Sequence, residues 1–445
     1  MRNLLFTICL TILPAQLWSQ DSYFPPPLNI GWETSDPEAL GWDVEKLDEL
    51  IAWLGNHQTK AFIILKDGKI VVEHYYGDFG RQSFWYWASA GKTVTAYLVG
   101  LLANEGLIDI HNPVSDYLGE GWTSLPPEKE ILITVWHQLT MTTGLDYTVE
   151  DQSCTLPECL QYRADAGEQW YYHNAPYTLL TDVIESAAGD ELNDVLHSAS
   201  EAIPGLFASY ADGALSEYNR VVFSRALDMA RFGLFISRHT VWDGAEPTLS
   251  SHFYQNMLTP SQELNPAYGY LWWLNGQDSF IPPQFPNSID GPLFEAAPSD
   301  MVSALGLNTQ VLSIIPSKEL VIVRMGEDPG TLFAFINEKW ERLSAIIGTS
   351  TSIEPEYPFR FSLKQNYPNP FNPATVISFQ LADPSHVRLE IFDSTGRLVA
   401  TPVNRTLNSG MHHINFDATG LASGVYHYRA TAGNEVLSRS MMLLK

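Results

Sequence analysis

The sequence predicts an α+β domain followed by a small β-sandwich, and three observations carry that expectation. A hairpin pattern over residues 61–72, through Asp67-Gly68, and a further strand at 311–315 supply sheet. Between them Val94, Tyr97, Leu98, Leu101 and Leu102 recur at helical spacing, and Asn104-Glu105-Gly106 closes the run with a glycine stop. After about residue 349 the composition changes: a polar, proline-bearing linker gives way to short alternating strands, such as 375–381 and 387–392. Turn signals recur there at Ser394-Thr395-Gly396-Arg397, Asn408-Ser409-Gly410 and Ala422-Ser423-Gly424, the spacing of a small sandwich.

Taken from the N-terminus, residues 1–19 carry Arg2, an apolar run over 4–13, then Pro14 and a small Ser19. That is the pattern of a secretory signal peptide cleaved near Ser19. No other run is long and apolar enough to cross a bilayer, so no membrane span is expected in the mature protein. Losing Cys9 with the leader leaves Cys154 and Cys159 as an exported pair, which suggests a disulfide, with two free thiols as the alternative.

The helix after the hairpin opens on Ser89, the only serine with a lysine three places on, in Trp87-Ala88-Ser89-Ala90-Gly91-Lys92. Residues three apart on a helix share a face, so the Lys92 amine can sit beside the Ser89 hydroxyl. A serine hydroxyl needs a neighbouring base to attack a carbonyl, and burial would lower the lysine pKa enough to make it one. The bland alternative is an N-cap serine with a solvated lysine. About eighty residues later, Tyr172 and Asn174 form a Tyr-x-Asn tripeptide just before a helix whose first turn suits Pro176. The same tripeptide recurs at Tyr254 and Tyr367, but only the first copy has aromatic flanks and a following helix.

With these residues the chain resembles the serine hydrolases related to class C β-lactamases and penicillin-binding proteins, in their esterase and linear-amide hydrolase branch. The likeness runs from the hairpin to residues 315–323 and includes 105–109, 112–117, 133–145, 230–233 and 268–273. It implies a β-lactamase/transpeptidase-like domain over 20–348, an antiparallel sheet with an all-helical subdomain. It further implies Ser89 as the acylated nucleophile, Lys92 and Tyr172 as proton carriers, and Asn174 as an amide holding Lys92 and substrate. A Lys92 ammonium nearby would favour a phenolate at Tyr172, whose pKa is therefore expected to be lowered. The resemblance places oxyanion donors on the Ser89 and Leu307 N–H groups, with Gly306 letting substrate approach the strand.

A departure from the family pattern bears on the substrate. Penicillin-recognising relatives carry Lys-Thr-Gly, or histidine for the lysine, where this chain has Ala304-Leu305-Gly306. Without that cation a β-lactam or terminal D-alanine carboxylate loses a charge-assisted partner, so an ester or linear amide is the expected substrate. The alternatives are a D-amino-acid peptidase or β-lactamase acting on peptidoglycan-like substrates, and a catalytically silent ligand-binding relative. Aromatic residues crowd the region: Phe84, Trp85, Tyr86, Trp87, Trp170, Tyr171, Tyr270, Trp272 and Trp273 serve equally as pocket wall or as core.

The tail over 362–445, after a linker at 349–361, resembles the C-terminal sorting domain of type IX secretion. The residues that carry this are 366–373, 393–397, Leu421 to Tyr426 and the final Met442-Leu443-Leu444-Lys445. It implies a partner in the type IX machinery and release or surface attachment after passage through the periplasm. A net charge of -26 disfavours nucleic acid, whose phosphates it would repel. Neither a zinc signature nor a phosphate loop is present, so no metal or cofactor is expected.

Overall fold

The computed structural model describes residues 23–27 and 30–348, together with 362–363, 366, 369, 371–381, 385–393, 396–407, 410–433 and 435–444. The expected signal peptide at 1–19, the linker at 349–361 and the turn residues Ser394, Thr395, Asn408 and Ser409 lie outside the described residues. The chain divides into two compact units, Met1–Ser350 and Thr351–Lys445, each with its own core.

The large unit is built on a six-stranded antiparallel sheet. Its order is Lys69–Tyr75, Thr59–Lys66, Leu320–Gly326, Gln310–Ile315, Val302–Gly306 and the short edge Trp273–Leu274. The first two strands are the expected hairpin, and Asp67 and Gly68 both have positive φ, 54° and 83°, as a tight two-residue turn requires. Every residue of Leu320–Gly326 and Gln310–Ile315 is buried, so helices must cover both faces of the sheet. On one face Gly233 of the helix Ala226–Ser237 meets Leu312 and Val321. Arg324 lies three residues beyond Val321 and so on the other face, where it stacks on Phe335 of the helix Leu332–Ile347.

Beside the sheet stands a helical region of Lys92–Asn104, Leu180–Ala188 and Leu192–Ser200, packed on one another. The first of these was expected to show one apolar stripe. Instead all its residues from Lys92 to Gly100 are buried, polar ones included, because the helix runs through the middle of the unit. Gly100 permits this: a Cβ there would come within 2.4 Å of the Phe253 ring.

The small unit is a β-sandwich. One sheet orders Ser362–Leu363, Ala374–Leu381 and Gly410–Asp417; the other orders Leu398–Leu407, Ser385–Asp393, Gly424–Ala432 and Glu435–Leu443. Alternate residues such as Val387, Leu389, Tyr428 and Ala430 face a shared apolar interior.

Candidate active site

Ser89 sits on a single 3-10 turn, Ala88–Gly91, that runs directly into the helix Lys92–Asn104. The turn is held from outside. Trp87 N–H donates to Val222 O at 2.8 Å and its indole Nε1 donates to Ser224 Oγ at 2.8 Å. Ala88 is forced to φ 48°, a left-handed conformation rare for a residue with a side chain and common where a site must be aimed.

The strand Val302–Gly306, next to the edge of the sheet, lies against this turn, and Gly306 is what allows it. A Cβ there would stand 2.3 Å from Trp87 O and 3.0 Å from Ala90 N. Sequence reasoning gave the glycine a different purpose, the approach of substrate. The structure supplies the nearer reason: backbone packs on backbone, fixing the distance between strand and serine.

Lys92 Nζ lies 3.1 Å from Ser89 Oγ and 3.0 Å from Asn174 Oδ1. Asn174 opens the short helix Asn174–Thr178, and Tyr177, one turn on, puts its ring 4.1 Å from the same nitrogen. The Tyr172 ring is 5.0 Å away, and its hydroxyl is near enough to the Ser89 side chain to be influenced by it. The solvated-lysine alternative therefore does not hold, because Lys92 is only 4% exposed. Burial lowers its pKa to about 7. At neutral pH much of it is an amine that can donate one N–H to Asn174 and offer its lone pair to the serine proton.

Tyr172 departs from expectation. Burial raises its pKa, and the Ser89 side chain offsets this only in part. The expectation of a phenolate assumed a charged Lys92. When both groups are taken out of water the amine gives up its charge first, and the tyrosine remains a phenol able to donate a proton.

Ser89, Lys92, Tyr172, Asn174, Gly306 and Leu307 all line one cleft of about 510 Å³. The cleft thus brings together every residue singled out for chemistry. Of the aromatic residues considered for its wall, Trp273 lines it, stacked on Tyr172 at 5.7 Å. Trp87 and Trp272 are instead fully buried core. Cys154 and Cys159 are joined in a disulfide, and the adjoining Ser153 reaches the cleft.

Residues that sequence reasoning missed include Tyr177, Arg220, Asn308 and Asp328, which also line the cleft. A signal existed for Tyr177, three places after Asn174 and so on its helix face. None existed for Arg220, whose partners are Asp182 and Glu185 on the helix Leu180–Ala188 and Asp212 on another segment. His173, set aside from the motif, is buried with neither ring nitrogen paired and does not line the cleft.

Comparisons with known proteins agree with this architecture. Residues 47–345 match the family model described as Beta-lactamase, and residues 365–443 match the secretion system C-terminal sorting domain. The 6-aminohexanoate-dimer hydrolase of Paenarthrobacter ureafaciens is 22% identical over 341 residues, spanning 66% of this chain and 82% of that protein. An uncharacterized protein of Alkalihalophilus pseudofirmus is 22% identical over 318 residues, 63% of this chain and 86% of its own. The crystal structure of a penicillin-binding protein homolog from Caulobacter crescentus superposes with a TM-score of 0.53 at 14% identity, over 70% of this chain and 96% of that one. The last likeness speaks to the fold alone.

Proposed function

The chain belongs to the Beta-lactamase family and carries a type IX sorting tail, and on that basis we propose that it is a secreted serine hydrolase cleaving an ester or amide through a Ser89 acyl-enzyme. One observation carries the reading: a buried Lys92 amine with its pKa near 7 stands between the Ser89 hydroxyl and the Asn174 amide. Lys92 takes the Ser89 proton as Oγ attacks the acyl carbon. The Tyr172 phenol, beside both Ser89 and Lys92, passes a proton to the leaving group and regains one from Lys92. Water then attacks the acyl-enzyme by the reverse relay. Backbone N–H groups of Ser89 and Leu307 stabilise the oxyanion in both steps.

The charges in the cleft favour a neutral acyl group. Among the described lining residues the cations are Lys92, near neutrality, and Arg220, already committed to three carboxylates. A substrate carboxylate finds no uncommitted partner there, so a simple ester or linear amide is preferred to a β-lactam or a peptide ending in D-alanine. The 6-aminohexanoate-dimer hydrolase among the relatives acts, by its name, on a dimer of 6-aminohexanoate, a substrate that is not a β-lactam.

The test is intact-mass labelling with a fluorophosphonate, run beside Ser89→Ala, a panel of p-nitrophenyl esters and a chromogenic cephalosporin. One adduct per chain and ester turnover, both absent in Ser89→Ala, are expected. Cephalosporin turnover matching that of the esters would instead make the chain a β-lactamase. A folded protein with neither adduct nor turnover would make it a silent ligand binder.

A further inference from the structure

Arg324 stands in the middle of the central strand Leu320–Gly326, fully buried, and all five of its N–H groups are spent. Nη1 donates to Asn308 O at 2.6 Å and Thr309 O at 3.0 Å. Nη2 donates to His57 O at 3.0 Å and Glu327 O at 2.9 Å, and Nε donates to Thr59 Oγ1 at 3.2 Å. Its hydrogen-bond partners are all neutral, and Asp328 offsets the charge only through space. A buried guanidinium with only neutral partners is an expensive way to fill a sheet interior, and apolar side chains fill such space at less cost.

What the guanidinium holds explains its presence. Asn308 and Thr309 both have left-handed backbones, φ 59° and 57°, although neither is glycine and threonine is β-branched. A tight hairpin turn accepts two such residues in succession, but a β-branched threonine among them persists only under outside constraint. They follow Leu307 directly, and all three line the cleft with Ser89. Gln310 adds a second clamp: its Nε2 donates to Gly326 O at 2.6 Å and Leu307 O at 3.2 Å, while its Oε1 accepts from Gly326 N at 3.0 Å. Asn308 Nδ2 donates to Tyr86 OH at 2.8 Å, three residues before the serine. On the far side, the Glu327 carbonyl leads into Asp328 and Gly330, which also line the cleft.

We propose that Arg324 is a positioning residue for the hydrolysis, clamping the strained Leu307–Thr309 turn so that the Leu307 N–H faces the oxyanion formed at Ser89. This rests on the acyl-enzyme reading above. Released from the clamp, the turn relaxes out of the left-handed region and the amide shifts. A shift of about 1 Å in a positioned group costs about 10²-fold in rate. The effect falls on kcat, because the oxyanion exists only after attack.

The experiment compares the wild type with Arg324→Met, Arg324→Lys and Gln310→Met, with active sites counted by fluorophosphonate adduct and turnover expressed per counted site. Lys339→Met removes another fully buried basic side chain, whose Nζ has no hydrogen-bond partner among the described residues, and serves as the control. Expected are a kcat per site about 10²-fold lower in Arg324→Met with KM within about threefold, a smaller fall in Gln310→Met, and no change in the control. Arg324→Lys, unable to span two pairs of carbonyls, falls between. A purely structural role would lower the number of sites and leave kcat per site intact, and that result overturns the proposal. Should Arg324→Met fail to fold, Gln310→Met decides in the same way. A wild type that takes up no fluorophosphonate and turns over no ester marks instead the failure of the hydrolase reading, and takes this proposal with it.

Discussion

At the scale of single residues, Lys92 is where the proposed chemistry is decided, because among the described residues no charged partner supports its ammonium. Burial is the only cause of its lowered pKa, so the amine becomes available as pH rises through about 7. Ester kcat/KM should therefore climb about tenfold per pH unit below 7 and level off above it. Lys92→Met should lower kcat/KM by at least about 10²-fold, and Lys92→Arg should do no better, since a guanidinium keeps its proton. A profile flat from pH 6 to 8, or an active arginine variant, would show that positive charge rather than proton transfer is what matters there. The residues of this site were largely legible in the sequence. Ser89 and Lys92 share a helix face by spacing alone, and Tyr172 and Asn174 stand just ahead of a helix. The direction of the Tyr172 shift was not legible, because it depends on how deeply Trp273 and Tyr268 bury the ring. Nor could composition divide the aromatic residues between wall and core, since the same ring serves both.

Elements place these residues, and the contact between the strand Val302–Gly306 and the turn Ala88–Gly91 sets the width of the cleft at its chemical end. Gly306 is in extended backbone, φ -132°, so its requirement is for space and not for an unusual conformation. In Gly306→Ala the new methyl meets Trp87 O at 2.3 Å and Ala90 N at 3.0 Å, backbone atoms that cannot swing aside. The strand must back away from Ser89. Overpacking of this kind costs about 1–3 kcal/mol. Ester turnover should fall about 10²-fold, by the displacement it forces on the Leu307 amide. Circular dichroism melting and turnover per labelled site would check the two effects separately, and an alanine variant with wild-type kcat would mean that the strand does not set the geometry. The hairpin was readable because Asp67-Gly68 states its turn locally. The left-handed pair Asn308-Thr309 was not, because the Arg324 side chain that holds it enters from another strand and a β-branched threonine argues against positive φ.

For the whole molecule, the buried ionisable groups and the surface charge make opposite demands on pH. Lys92 and Lys339 are both lowered to about 7, by burial first and, for Lys339, by Arg324 nearby. His137 and His173 are lowered to about 4, again by burial. Each is a base whose folded pKa lies below its unfolded one. Between those two values the unfolded chain binds more protons, so stability rises with pH from about 4 to 6.5 for the histidines and from about 7 to 10.5 for the lysines. Asp182 and Asp228, raised by burial, oppose this only in the window just above 3.8. Above pH 10 the phenols of Tyr172, Tyr177 and Tyr210, all raised by burial, reverse the slope. Against the rise stands self-repulsion from a net charge of -26, which grows as pH increases. Those carboxylates are dispersed over the surface and screened within about 8 Å at 0.15 M salt, whereas the buried cations are not screened, so the buried groups should win at that ionic strength. None of the 13 tryptophans lies beyond Trp340, which lets indole fluorescence follow the large unit alone. Its melting temperature in 0.15 M salt should increase from pH 5 to pH 8, and Lys339→Met should flatten the upper half of that increase. A melting temperature that falls over this range, and recovers on adding salt, would give the decision to surface repulsion and would mean that the buried amines keep their protons in the folded chain.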